Sequence, residues 1–189
     1  MTKVIIIHGL TGHPDKNWFP WLKQKLEEKG IEVLVPQMPE PDKPKLQDWL
    51  TLLNNLDLGD PSELYMVGHS LGCPTILRYL EQLAPGKKIA AGILVAGFAE
   101  PIGIPETLNF LSQKWNDKKI KSSAEKFVYF NSDNDPYVPL EDGEHLMKRF
   151  GGELIKVHNA GHFNWRDGYK ELPAVYDKLQ ELIGAPSKS

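Results

Sequence analysis

The stretch Leu64-Tyr65-Met66-Val67-Gly68-His69-Ser70-Leu71-Gly72 joins a run of apolar residues to a pentapeptide in which a serine stands between two glycines. Four apolar residues in succession, ended by a glycine, are typical of a buried strand. The G-x-S-x-G pattern that follows is typical of a sharp turn from a strand into a helix. Glycines are needed there because neighbouring backbone passes too close for a side chain. We therefore predict that Ser70 stands above the edge of a sheet.

Similar short apolar runs recur along the chain, and segments with helical spacing separate them. The predicted strands are 4–7, 32–35, 64–67, 89–96, 127–130 and 153–157. The predicted helices are 18–29, 45–55, 72–82, an interrupted segment near 105–114, 140–150 and 172–183. Strands that alternate with helices give a mostly parallel sheet with helices on both faces. The fold class is therefore α/β, with six predicted strands.

Length and composition indicate one soluble domain. The 189 residues, of which 41% are hydrophobic and 25% charged, suit a single globular unit, which we place at 1–184 with a loose tail at 185–189. The formal net charge of −3 gives no sign of nucleic-acid binding. A single cysteine, Cys73, leaves no pair for an internal disulfide, and this favours a cytoplasmic protein. No apolar run approaches the roughly 18 residues of a membrane-spanning helix, so we expect no membrane association.

The residues whose side chains could take part in a reaction follow the predicted strands. Ligands of open parallel sheets bind beyond the carboxyl ends of the strands. A serine hydroxyl becomes a useful nucleophile only with a base in reach and a carboxylate that orients the base. After the fifth strand, Asp135 is the preferred acid, although Asp133 lies two residues away in the same loop and could take its place. His162 follows the last strand and is the preferred base.

Taken together, these motifs resemble those of the α/β-hydrolases and, among them, the small serine hydrolases of the RBBP9/YdeN family. The order serine, aspartate, histidine is the α/β-hydrolase order. Beyond the G-H-S-L-G pentapeptide, the family's strand leading to His-Gly matches Val4 to Gly9, its S-x-x-D-x-x-V-P loop matches Ser132 to Pro139, and its G-H-F-N matches Gly161 to Asn164. The resemblance covers nearly the whole chain. It implies a compact six-stranded hydrolase sheet with a minimal cap.

The resemblance also implies a mechanism in which an acyl group is transferred to Ser70 and then to water. Backbone N–H groups of Leu71 and Leu10 would bind the oxyanion, with Thr11 as a less favoured second donor. His8 and His69 would support the turns around the site. Aromatic residues of the same loops could line an acyl pocket, and the candidates are Phe98, Tyr137 and Phe163. No histidine or cysteine spacing typical of a metal site occurs, and we expect no cofactor.

The leading hypothesis is therefore an esterase-type serine hydrolase for small acyl substrates, with amides or thioesters as further substrates. The alternative is a regulatory or protein-binding module that keeps the hydrolase fold with little turnover. A retinoblastoma-type partner is not expected, because the L-x-C-x-E motif of the mammalian member is incomplete here: Leu71-Gly72-Cys73-Pro74-Thr75 lacks the glutamate. The sequence leaves the oligomeric state open.

Overall fold

The structure of the protein is a computed structural model that describes residues 1–184. The predicted tail at 185–189 lies outside the described residues. Six strands form one sheet in the order β2-β1-β3-β4-β5-β6, and every neighbouring pair is parallel. The strands are β1 Lys3–Ile7, β2 Glu32–Leu34, β3 Leu64–His69, β4 Ile89–Val95, β5 Ala124–Ser132 and β6 Glu153–Val157. The predicted six-stranded α/β fold is confirmed, and the sheet is parallel throughout.

Seven α-helices connect or flank these strands within the described residues: α1 Phe19–Glu27, α2 Leu46–Asn55, α3 Gly72–Gln82, α4 Leu108–Leu111, α5 Asp117–Ser122, α6 Leu140–Phe150 and α7 Pro173–Gly184. The sequence did not predict α5, whose charged segment buries only Ile120. Its start is set by Asn116, whose side chain accepts a hydrogen bond from the N–H of Lys119. No helix in the described part of the chain is long and apolar enough to cross a membrane.

The sheet separates two hydrophobic cores, and β1 contributes to both because its side chains alternate between the faces. Ile5 and Ile7 lie in the core beneath α2, α3 and α6, whereas Val4 and Ile6 lie in the core beneath α1 and α7. All four side chains are fully buried. Burial on both faces explains why the strand is a continuous apolar run rather than an alternating one.

The helix that follows the third strand packs unusually close to the sheet. A Cβ atom on Gly72, the first residue of α3, would lie 2.2 Å from the carbonyl oxygen of Ile7 on β1. Only glycine permits this approach. The strand order reverses between β1 and β3, and α/β proteins bind ligands at the carboxyl ends of strands at such a point. Ser70 lies there, directly after β3.

Candidate active site

Ser70 occupies the sharp turn between β3 and α3. Its φ angle of 54° lies in the left-handed region, where residues other than glycine are uncommon. Its N–H donates to the carbonyl of Val95 at 2.9 Å, so the turn is tied to the end of the neighbouring strand β4. A strained backbone held by its surroundings is characteristic of a nucleophile elbow. The turn predicted for Ser70 is therefore present.

The turn after β1 lies directly against this serine. A Cβ atom on Gly9 would come within 2.8 Å of the Cβ of Ser70 and within 3.3 Å of the nitrogen of Leu71. Leu71 is the N-cap residue of α3, where the N–H groups of a helix are left without intrahelical partners. The turn thus brings the backbone before Leu10 next to the first N–H groups of α3.

His8 and Gly12 orient the peptide unit that contains the N–H of Leu10. The carbonyl of Gly9 accepts hydrogen bonds from His8 Nδ1 at 2.9 Å and from the N–H of Gly12 at 3.1 Å. In a trans peptide the N–H points away from the carbonyl, so these bonds aim the N–H of Leu10 in the opposite direction. The N–H of Thr11, the less favoured oxyanion donor, is already engaged, because it donates to the carbonyl of Pro41 at 2.8 Å.

His8 is held as one neutral tautomer. Its Nε2 accepts from the N–H of Met38 at 3.0 Å, which leaves the proton on Nδ1 for the bond to Gly9. The ring is fully buried, and burial lowers its pKa from the ordinary value of 6.5. His8 is therefore a structural support of the turn, as the sequence suggested.

Asp135 and His162 are in direct contact. His162 Nδ1 lies 2.8 Å from Asp135 Oδ2, and the other carboxylate oxygen accepts from the N–H groups of Tyr137 at 2.9 Å and Val138 at 3.1 Å. The Asp135 side chain is fully buried, and that of His162 is 12% exposed. Because the carboxylate accepts at Nδ1, the proton of neutral His162 resides there, and Nε2 is the ring nitrogen left for proton transfer.

Asp133, the alternative acid, has a different histidine as its partner. Its Oδ2 lies 2.5 Å from His158 Nδ1, and its Oδ1 accepts from the N–H of Asn159 at 2.9 Å. The His158 side chain is 76% exposed. The hydrogen bond from the N–H of Asn159, followed by that from His158, lowers the pKa of Asp133. The two candidate acids thus belong to separate Asp–His pairs, and of the two it is Asp135 that contacts His162.

The loop that carries His162 is held by side chains rather than by regular secondary structure. Side-chain oxygens accept from four consecutive N–H groups, and the bonds are Asp133 Oδ1 to Asn159 at 2.9 Å, Ser132 Oγ to Ala160 at 3.0 Å, Asn134 Oδ1 to Gly161 at 2.7 Å and Asp167 Oδ2 to His162 at 2.8 Å. Sequence reasoning did not single out Ser132, Asn134 or Asp167. A signal was present, because a loop without ladder partners must bond its backbone elsewhere.

Two side chains also bind carbonyls of this loop. His69 Nε2 donates to the carbonyl of His162 at 2.7 Å, and Trp18 Nε1 donates to the carbonyl of Phe163 at 3.1 Å. The sequence suggested that His69 supports its own turn. The structure shows that its ring supports the histidine loop instead.

The three aromatic pocket candidates lie in different environments. Phe98 and Phe163 are fully buried and belong to the two cores, so they offer no accessible surface to a ligand in this conformation. Tyr137 is 50% exposed, and its ring packs edge-on against His162 with ring centres 5.1 Å apart. Of the three, Tyr137 alone is both accessible and in contact with the Asp–His pair.

Other features of the surface lie away from these residues. Three clefts of about 550, 560 and 460 Å³ are lined by other residues, and none includes Ser70, Asp135 or His162. Among residues 1–184 no group of three or more histidine, cysteine, aspartate or glutamate side chains is arranged to hold a metal ion.

A parallel sheet of this order, with a serine in a left-handed turn after β3 and an Asp–His pair on the loops after β5 and β6, defines the class: it is an α/β-hydrolase. A sequence model of the family described as serine hydrolase matches residues 4–181. The chain belongs to this serine hydrolase family, and within it to the small enzymes of the YdeN and RBBP9 type.

Individual relatives match the chain over nearly its full length. The chain is 38% identical to YdeN of Bacillus subtilis (strain 168), with 100% of both chains covered, and 27% identical to the serine hydrolase RBBP9 of Rattus norvegicus, with 96% and 98% covered. The crystal structure of the YdeN protein superimposes with a TM-score of 0.93 over 98% of this chain and 100% of that one, at 35% identity. Est1E from Butyrivibrio proteoclasticus, in a structure with ferulic acid bound, has a TM-score of 0.73 at 18% identity, covering 98% and 90%, and shares the fold.

Proposed function

We propose that the protein hydrolyses small carboxylic esters through an acyl-enzyme on Ser70, with His162 as the base and Asp135 as the residue that orients it. The observation that carries this proposal is the 2.8 Å contact between His162 Nδ1 and Asp135 Oδ2, on the same sheet edge as the strained turn of Ser70. A buried carboxylate with both oxygens bonded holds the imidazole in one orientation and one tautomer.

In the first half of the reaction, Ser70 Oγ attacks the ester carbonyl while its proton passes to His162 Nε2. The tetrahedral intermediate collapses, the C–O bond to the alcohol breaks, and the alcohol oxygen takes the proton from His162. In the second half, water attacks the acyl-enzyme and gives a proton to the same nitrogen. Release of the acid then returns that proton to Ser70.

The oxyanion would be bound by the backbone N–H groups of Leu10 and Leu71. Support comes from the closeness of Gly9 to both Ser70 and Leu71 and from the orientation of the Gly9 carbonyl, which His8 and Gly12 hold. Loss of one such donor typically reduces kcat about 100- to 1000-fold. In this turn the donor is aimed by its neighbours, so its orientation precedes substrate binding.

The preference for small substrates is proposed because the chain between β4 and α5 is too short for a large cap. Between β4 and α5 the chain forms only the four-residue helix α4 and a 3-10 turn at Pro105–Thr107. Amides and thioesters would use the same machinery, and Tyr137 is the residue we assign to the substrate-facing wall. A retinoblastoma-type partner is not part of the proposal, because Leu71, Cys73 and Thr75 are fully buried on α3 or at its start.

Labelling with a fluorophosphonate probe, followed by mass spectrometry of the labelled peptide, tests the proposal. We expect one adduct, on Ser70, and turnover of a short-chain p-nitrophenyl ester that is lost in Ser70→Ala. Thr75→Ser is a matched control, since Thr75 donates its hydroxyl to the carbonyl of Leu71 and the serine variant keeps that bond. An unlabelled wild-type protein, or a Ser70→Ala variant with wild-type turnover, would lead to the alternative of a binding module.

A further inference from the structure

We propose that His69, the residue before the nucleophile, is a positioning residue for the base: it fixes the backbone of His162 and so aims the imidazole at Ser70. This inference rests on the proposed role of His162. It gives the second residue of the G-H-S-L-G pentapeptide a role in holding His162 rather than in shaping the turn of Ser70.

The bond from His69 acts on the peptide unit that follows His162. Its Nε2–H donates to the His162 carbonyl at 2.7 Å, while Asp167 Oδ2 accepts from the His162 N–H at 2.8 Å. Both peptide planes that flank the Cα of His162 are therefore held by side chains. Since two planes define the direction of the Cα–Cβ bond, and Asp135 holds Nδ1, the imidazole is fixed at three points.

The backbone at this point needs such support. Gly161 and Phe163, on either side of His162, both have left-handed backbone angles, with φ of 54° and 53°. A phenylalanine in this region is strained by about 1 kcal/mol or more and persists only where its surroundings hold it. The bond to the His162 carbonyl is one of the contacts that hold the peptide between His162 and Phe163.

His69 itself has little freedom to move. It is 4% exposed, and the rings of Trp18 and Phe19 pack edge-on against it with centres 6.1 and 5.9 Å away. It is the last residue of β3 and directly precedes Ser70, so the proposed nucleophile and the residue that holds the proposed base are neighbours in the sequence. The position of His162 is thereby tied to the same strand end that carries Ser70.

The charge state of His69 suits this role. Burial, together with the nearby His162, lowers the pKa of His69 to about 3, so the ring is neutral at the pH at which a histidine base works. The ring centres of His69 and His162 are 5.0 Å apart. A neutral donor at this distance adds no positive charge next to the imidazolium that forms on His162 during the reaction.

The test uses two substitutions that separate hydrogen bonding from packing. His69→Gln keeps an N–H donor near the position of Nε2, whereas His69→Met fills similar space without a donor. We expect His69→Met to lower kcat for a p-nitrophenyl ester about 10- to 100-fold with KM within about twofold, because a small misplacement of a catalytic group acts on the chemical step. His69→Gln should recover most of that loss.

Two controls separate positioning from a general loss of structure. Trp18→Phe removes the bond to the next carbonyl, that of Phe163, and should lower kcat less than His69→Met does. Leu179→Ala lowers stability in the core beneath α7 and should leave kcat of the folded protein unchanged. If His69→Met does not fold, His69→Asn replaces it, because the shorter amide cannot reach the His162 carbonyl.

Equal kcat in wild type and a folded His69→Met or His69→Asn would overturn the inference, as would an equal loss in His69→Gln. Wild-type protein that neither turns over ester nor reacts with a fluorophosphonate at Ser70 would reject the proposed function itself. Wild-type turnover with an unaffected His69→Met would reject the role of His69 alone.

Discussion

Two Asp–His pairs lie side by side on the loops after β5 and β6, and they differ in their surroundings more than in their geometry. The distances are 2.8 Å for Asp135 and His162 and 2.5 Å for Asp133 and His158. In the first pair the side chains are 0% and 12% exposed, and in the second they are 26% and 76% exposed. A short contact alone therefore does not distinguish the pair that we propose as catalytic from the exposed pair.

The charges around the two carboxylates differ as well. Asp135 is bonded only by neutral backbone N–H groups besides His162, whereas Asp133 also has Lys156 Nζ at 3.7 Å. Interactions of exposed charges are weakened by solvent, and interactions within a buried site are much stronger. We infer that the buried pair can stabilise an imidazolium in a reaction, while the exposed pair ties His158 and Asn159 to the loop after β5.

Substitution of the two histidines should give the largest difference in kcat. His162→Gln should lower kcat about 10⁴- to 10⁶-fold, because the nucleophile loses its base. His158→Gln should change kcat less than about threefold. Ester kinetics of both variants, with circular dichroism to show that each is folded, check this prediction. A deep loss in His158→Gln, with His162→Gln unaffected, would exchange the roles of the two pairs.

Substitution of the two aspartates should give the next largest difference in kcat. Asp135→Asn should lower kcat about 10²- to 10⁴-fold, since the amide can stabilise the wrong tautomer of His162 and adds no negative charge. Asp133→Asn should stay within about threefold of wild type. Parallel measurements of kcat and KM for both variants provide the comparison. Comparable losses would mean that the loop as a whole, rather than the Asp135 carboxylate, supports the base.

Acid should lower the free energy of unfolding of the protein through the buried His69. Its pKa is about 3 in the folded protein, and an unfolded histidine has a pKa of about 6.5, so below pH 6.5 the unfolded chain binds a proton that the folded chain does not. This one residue should lower the free energy of unfolding by about 2 kcal/mol between pH 7 and pH 5. Urea denaturation at the two pH values measures the change.

The control for this experiment is a variant without the His69 imidazole. His69→Gln should lose this contribution, so its free energy of unfolding should depend less on pH than that of the wild type. His8, whose pKa burial also lowers, adds to the acid sensitivity of both proteins. An identical pH dependence in wild type and His69→Gln would show that His69 is not held neutral.

Tyr137 gives the smallest expected effect. Its ring covers His162, so Tyr137→Ala should expose the buried pair and lower kcat/KM about 5- to 10-fold, while Tyr137→Phe keeps the ring and should stay near wild type. Kinetics with acetate and butyrate esters measure both variants. Loss of activity in Tyr137→Phe equal to that in Tyr137→Ala would assign the effect to the hydroxyl instead.

Local sequence patterns predicted most of the fold. Helix α3 has the predicted bounds because Gly72 begins it and its apolar spacing continues to Gln82, and β6 also has the predicted bounds. Helix α5 was missed because its segment, Asp117–Ser122, carries no apolar stripe. The helix packs on the core through a single buried residue, Ile120, which sequence spacing does not reveal.

Sequence patterns predicted Ser70 and His162 and favoured Asp135 as the acid, with Asp133 left as the alternative. Asp133 and Asp135 share one loop, and their partners follow from how that loop meets the next one in space. The side chains that support the His162 loop could not be predicted from the sequence either. His69 and Trp18 lie 93 and 145 positions from the residues whose carbonyls they bind. Such long-range contacts between side chains and backbone leave no period or spacing in a sequence.

A crystal structure of the protein after reaction with a fluorophosphonate would test the central claim most directly. The account predicts phosphorus on Ser70 Oγ, a phosphoryl oxygen within hydrogen-bond distance of the N–H groups of Leu10 and Leu71, and His162 Nδ1 still bonded to Asp135. An adduct on another residue, or His162 turned away from Asp135 with His158 beside the phosphoryl group, would contradict it.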